Sequence, residues 1–136
     1  IFTMRRDARE AAYKILYAEH FNDNPSEDFR KEIFAEHKLN EKDIAFAENL
    51  LGAIAENGEE INSIISSYAK GYKIERLYAT DKCALSLAVA ELKYFDDIPP
   101  VVSIDEALYL VRKYSTDESL NFVNGVLAAL KKDLEA

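Results

Sequence analysis

Arg6, Arg9, Tyr13 and Tyr17 follow one another at spacings of three, four and four. Positions so spaced share a face when the chain is helical. Guanidinium groups neutralise phosphates, and flat rings give bases a surface to stack on, worth about 1–3 kcal/mol per base. Arg5 sits just ahead of the set, where the free amides of a helix N-terminus add partial positive charge. The pattern is that of a dock for single-stranded RNA. Two plainer readings stand beside it: arginines solvated at the start of an exposed helix, and tyrosines packed against a neighbouring helix.

Other residues bear on chemistry less directly. Phe122-Val123-Asn124-Gly125-Val126-Leu127 places a glycine inside a helical stretch, at a cost of about 1 kcal/mol relative to alanine. Close approach of another helix, or of a ligand, would compensate. Glu75 and Asp81 flank the start of another helix; carboxylates there complement the helix dipole, or meet a basic partner. Cys83 is the single cysteine and lies among apolar residues, as a small buried side chain does. His20 and His37 are too few and too far apart in sequence to suggest a zinc site. No phosphate loop, dinucleotide fingerprint, zinc-protease helix or nucleophile elbow occurs, so no enzyme activity and no cofactor is expected.

The elements that must position these residues are helices. The 136 residues contain only four Gly and three Pro, too few for a turn-rich β fold. Ala, Leu, Glu and Lys recur throughout. Seven helices are expected. The first runs from about Arg5 to Phe21, with Ala8, Ala11, Ala12, Ile15 and Leu16 on its apolar stripe, and stops at Asn22-Asp23-Asn24-Pro25. The second covers about Ser26 to Glu36, and the third Glu41 to Asn57, with Asn40 as N-cap and Gly58 just past the end. The fourth spans about Glu59 to Ala69, stopping at Gly71. The fifth spans Ile74 to Tyr94 and is apolar on nearly every face from Ala84 to Leu92, which marks a central buried helix. Pro99-Pro100 predicts an extended link, and Ser103 with Glu106 a capping box opening the sixth helix, which ends near Tyr114. Thr116 or Asp117 caps the last, from about Glu118 to Leu134.

One helical domain over residues 4–136 is expected, as two small packed bundles, 4–57 and 58–136. Ile1-Phe2-Thr3 precede Met4, the expected natural start. Net charge is −8, yet Arg5, Arg6, Arg9 and Lys14 against Asp7 and Glu10 give the opening segment +2, leaving −10 elsewhere. A basic end on an acidic body focuses anions at one place. No apolar run reaches the ~20 residues of a membrane span, and no signal peptide is visible. With one cysteine and no export signal, a cytoplasmic location is expected.

Several segments then fall into line with one family. Arg6-Asp7-Ala8-Arg9-Glu10 followed by Ile15-Leu16-Tyr17 resembles the opening of the NusB family. Phe46-Ala47-Glu48-Asn49-Leu50-Leu51-Gly52 is similar to its third-helix pattern. Asp97-Ile98-Pro99 with Val102-Ser103-Ile104-Asp105-Glu106-Ala107 is similar to a later segment, and Phe122 to Leu127 resembles its closing signature. The resemblance covers nearly the whole chain in order.

It implies an all-helical fold of two small bundles and a role in transcription antitermination. It implies pairing with a NusE-like small-subunit ribosomal protein, binding of boxA-like single-stranded RNA in ribosomal RNA leader transcripts, and action within an RNA polymerase antitermination complex. By position, Arg6, Arg9 and Tyr17 would meet RNA, together with the start of the last helix around Glu118, Asn121 and Phe122. Tyr68, Glu75 and Asp81 would face the partner. Arg5 and Tyr13 join the RNA set from the residue pattern itself.

Departures from the family pattern weaken the RNA face: Asp7 stands where many relatives carry a basic residue, Ser86 where many carry Arg, and Leu120 and Asn121 where some carry His or Lys. Asp105 replaces the more usual Asn. Relatives include monomers and homodimers, and both states are open. A helical adaptor that binds only protein is the alternative reading, and the isolated NusB-like domain of a ribosomal RNA methyltransferase is another.

Overall fold

The computed structural model describes residues 2–22 and 26–136, with side chains from Arg5 onward. Ile1 and the stop signal Asp23-Asn24-Pro25 lie outside the described residues. The described chain is helical: α1 (Phe2–Phe21), α2 (Glu27–Glu36), α3 (Glu41–Glu56), α4 (Gly58–Tyr68), a 3-10 turn (Ile74–Arg76), α5 (Ala79–Tyr94), α6 (Pro100–Tyr114) and α7 (Asp117–Glu135).

Two compact units divide the chain, residues 1–52 and 53–136. The division falls inside α3 rather than at Gly58, which opens α4 instead of following α3.

In the first unit α1 packs on α2. Ser26 caps α2, its Oγ accepting from the Phe29 amide at 3.1 Å, and Glu27 and Asp28 complement the dipole of the first turn. Asn40 caps α3 as expected, its Oδ1 accepting from the Asp43 amide at 2.9 Å. The core side chains are Ala8, Ala11, Ala12 and Ile15 of α1, Phe34 of α2, and Phe46, Ala47, Leu50 and Leu51 of α3. Each large apolar side chain so buried contributes roughly 1.5–3 kcal/mol.

In the second unit α5 packs against α4, α6 and α7. Every residue from Cys83 to Glu91 is buried, so α5 is the central helix that its all-round apolar stretch predicts. Gly71, at φ +84, makes the turn after α4, a left-handed conformation that suits glycine. The 3-10 turn and α5 replace the single helix expected from Ile74 to Tyr94; Leu77 at φ −69, ψ 145 and Tyr78 at φ −59, ψ 140 are extended between them.

The start of α6 is a correction. Pro100 is its first residue and Pro99 its cap, the position where a missing N–H costs nothing. Ser103 therefore lies one turn inside the helix and is no capping residue. It is buried, and its Oγ donates to Glu91 Oε1 at 2.9 Å, joining α6 to α5. Thr116 caps α7, accepting from the Ser119 amide at 3.0 Å.

Candidate nucleic-acid interface

The ridge expected on α1 is not exposed along its length. Ala8 to Tyr13 are six consecutive buried residues, more than a full turn, so this stretch of α1 has no exposed face. Arg9 and Tyr13 are each only 2% exposed. Neither therefore offers the surface expected of it for RNA, because side chains sealed in the fold cannot reach a ligand. Arg9 instead lays its guanidinium over the Phe46 ring, 5.2 Å from the centroid, and Arg5 does the same at 4.8 Å. For buried Arg9, desolvated cation–π stacking of this kind holds about 2 kcal/mol or more; half-buried Arg5 gains less. Helical spacing within α1 gives no sign of this contact, because Phe46 lies on α3.

What surfaces is the two ends of the helix. Arg5 and Arg6 are half-buried in the opening turns, and Tyr17 is 40% exposed towards the close. Tyr17 meets Phe21 edge-on, centroids 5.1 Å apart, and Phe21 is in turn edge-on to His20 at 4.9 Å. Phe21 and His20 were not foreseen as part of this patch; their ring types, three and four residues past Tyr17, were the available signal.

The second unit holds a cleft of about 260 Å³ lined by Tyr72, Arg76, Tyr78, Asp81, Glu118 and Phe122, among others. It brings together residues expected in separate roles: Asp81 from the partner set, and Glu118 and Phe122 from the RNA set. Asn121 is exposed on α7, and Glu75 is exposed on the 3-10 turn. Tyr72 and Phe122 pack edge-on with centroids 4.9 Å apart, and Tyr72 and Tyr78 are largely exposed. Tyr72, Arg76 and Tyr78 were missed. The signal was there in the basic and aromatic residues Lys70, Tyr72, Lys73, Arg76 and Tyr78, of which Arg76 and Tyr78 were expected inside a helix starting at Ile74.

Asp81 does not present its carboxylate to a partner. It is 4% exposed, and its Oδ1 accepts from Ser115 Oγ at 2.7 Å while Oδ2 accepts from Ser119 Oγ at 2.6 Å. Thr80 Oγ1 donates to Ser115 Oγ at 3.2 Å, and Thr116 Oγ1 to Ser119 Oγ at 3.0 Å. This chain of hydroxyls clips the first turn of α5 to the α6–α7 junction and fixes the cleft wall. Asp81 is thus corrected from a docking charge to a buried support. Tyr68 is half-exposed, and its hydroxyl donates to Asp133 Oδ2, tying α4 to α7. That hydrogen bond raises the Tyr68 pKa above 10.0.

Gly125 is exposed, and a Cβ added there would meet nothing within 4 Å. Tight packing within the chain therefore does not explain it. Cys83 is buried, and burial pushes its thiol up to about 12. The first unit also holds an open hollow of about 1050 Å³ between α1, α2 and α3. Glu19, Glu27 and Glu48 line it together with Arg30 and Lys31, and Arg30 is tied to Glu19 at 2.6 Å, so its charges are mixed and form no cationic patch for phosphate. No helix among the described residues is long and apolar enough to cross a membrane.

The NusB family profile matches residues 6–132. The transcription antitermination protein NusB of Methylacidiphilum infernorum is 41% identical over 134 residues, covering 95% of this chain and 91% of that protein. The fold is similar to a chain in the crystal structure of antitermination factors NusB and NusE in complex with dsRNA. There the TM-score is 0.87 at 30% identity, with 98% and 99% of the two chains covered. It is similar also to the NusB of T. maritima, with TM-score 0.84 at 32% identity over 95% of this chain and 91% of that one.

Proposed function

Because this chain belongs to the NusB family, we propose that it acts in transcription antitermination, without enzymatic activity, by binding RNA together with a NusE-type ribosomal protein. The observation that carries the proposal is the surfacing of Arg5, Arg6 and Tyr17 at the two ends of α1 on a chain of net charge −8. Cations placed against a negative background are where a phosphate chain is held. Phe122, beside exposed Tyr72, supplies a second stacking surface, with Asn121 and Glu118 next to it. Stacking on rings needs unpaired bases, which favours a single strand such as a boxA-like leader element.

The partner reads the remaining features. Glu75 and half-exposed Tyr68 are the proposed contacts, with Asp81 acting through the shape of the cleft. An acidic chain suits a basic ribosomal protein through complementary charge, which raises association rate and selectivity. The complex with RNA polymerase and a cytoplasmic location follow from the same reading.

A mobility shift with boxA-like single-stranded RNA, with and without the NusE-type partner, tests it, with a duplex of the same sequence alongside. Binding to the single strand that tightens with partner is expected. Absence of a shift under both conditions contradicts the proposal and leaves the protein-only adaptor, which the strongly negative net charge favours.

A further inference from the structure

We propose that Asp7, Glu10 and His37 bind one divalent transition-metal ion of the zinc type, which fastens α1 to the end of α2.

Asp7 and Glu10 are three residues apart on α1, so their side chains lie on neighbouring positions of one face. His37 is the C-cap of α2, held by its backbone amide to the carbonyl of Ile33. One donor atom from each of the three lies within 4.8 Å of the others. Bonds to zinc of about 2.0–2.2 Å require donors roughly 3.3–3.6 Å apart, so closure by about an ångström completes a site. Asp7 is exposed at the rim of the cluster and Glu10 is buried beneath it.

A second observation points to a ligand. His37 Nε2 is buried and has no hydrogen-bond partner, an arrangement that costs stability unless something binds there.

The donor set selects the ion. Two carboxylates neutralise a divalent charge, and an imidazole nitrogen favours zinc, nickel or copper over magnesium and calcium, which prefer oxygen throughout. Three protein ligands leave a fourth position for water. The two histidines alone are too few for a zinc site; the fold adds carboxylates from another helix.

Calorimetric titration of chelator-stripped protein with ZnCl2 tests the site, with the visible absorption of Co2+ as a second probe. One ion per chain is expected, with cobalt bands of a nitrogen- and oxygen-liganded site and a melting temperature that rises with zinc. His37→Gln and Asp7→Asn should each weaken binding at least tenfold, and His20→Gln should leave it unchanged. Helix content by circular dichroism qualifies each variant; Asp7, at the surface, decides the matter if His37→Gln unfolds. Lack of saturable binding overturns the proposal, as does wild-type affinity in folded Asp7→Asn or displacement of zinc by a hundredfold excess of Mg2+.

Discussion

Tyr13 and Tyr17 are one helical turn apart, yet one belongs to the fold and the other to the surface. Tyr13→Ala should cost roughly 3–5 kcal/mol in a denaturant titration, as loss of a buried aromatic ring does. Tyr17→Ala should leave that titration unchanged and weaken RNA binding roughly five- to hundredfold, the loss of one stacked base. Equal effects of the two on stability would contradict the assignment. Asp81→Asn removes charge from two hydroxyl contacts. It should destabilise the chain by about 1–3 kcal/mol by thermal or urea unfolding. A variant of unchanged stability with weaker partner binding would return Asp81 to the interface. Cys83 should resist a thiol reagent at pH 8 and react fully in urea, because its thiol is pushed up to about 12 and only the thiolate attacks. At this scale residue type was legible and environment was not. Nothing in the order of residues says that Arg9 stacks on Phe46 or that Asp81 faces Ser115 and Ser119, since each contact joins distant segments.

Helix existence follows from local rules, and so do most ends. Asn40 and Thr116 cap α3 and α7 as their types predict, and the apolar run of α5 is buried as its periodicity requires. The misreadings share a cause: a local signature was outbid by tertiary structure. Ser103 and Glu106 have the spacing of a capping box, but Pro100 is a better first residue, and Ser103 is then free to bond Glu91. Ser103→Ala should therefore cost about 1–3 kcal/mol by removing a hydrogen bond to a buried carboxylate, while protection of the α6 amides from Val102 onward stays in place by hydrogen exchange. Selective fraying of residues 100–103 would restore the capping role. Gly125 has open space around it on an exposed helix face. Gly125→Ala should stabilise the chain by roughly 0.5–1 kcal/mol; if binding of RNA or partner falls while stability rises, the glycine serves close approach of that ligand.

For the whole molecule, charge and family reinforce each other. A chain of net −8 is a poor nucleic-acid binder on average and a suitable one only where its cations are gathered. The resemblance to NusB was legible because it rests on an ordered set of short segments across the chain, and the family profile over residues 6–132 bears it out. The reach of the RNA face was not legible, because burial of Arg9 and Tyr13 depends on what covers α1. Their burial lowers the number of phosphate-neutralising cations expected on α1 from three to two, Arg5 and Arg6. The most direct test of RNA binding through α1 is therefore a filter-binding salt titration with single-stranded RNA, comparing wild type with the Arg5→Ala/Arg6→Ala double variant. Two neutralised phosphates give a slope of log K against log[salt] of roughly −1.4 in the wild type and near zero in the variant. A wild-type response as flat as the variant's, or a slope that survives loss of both arginines, would contradict it.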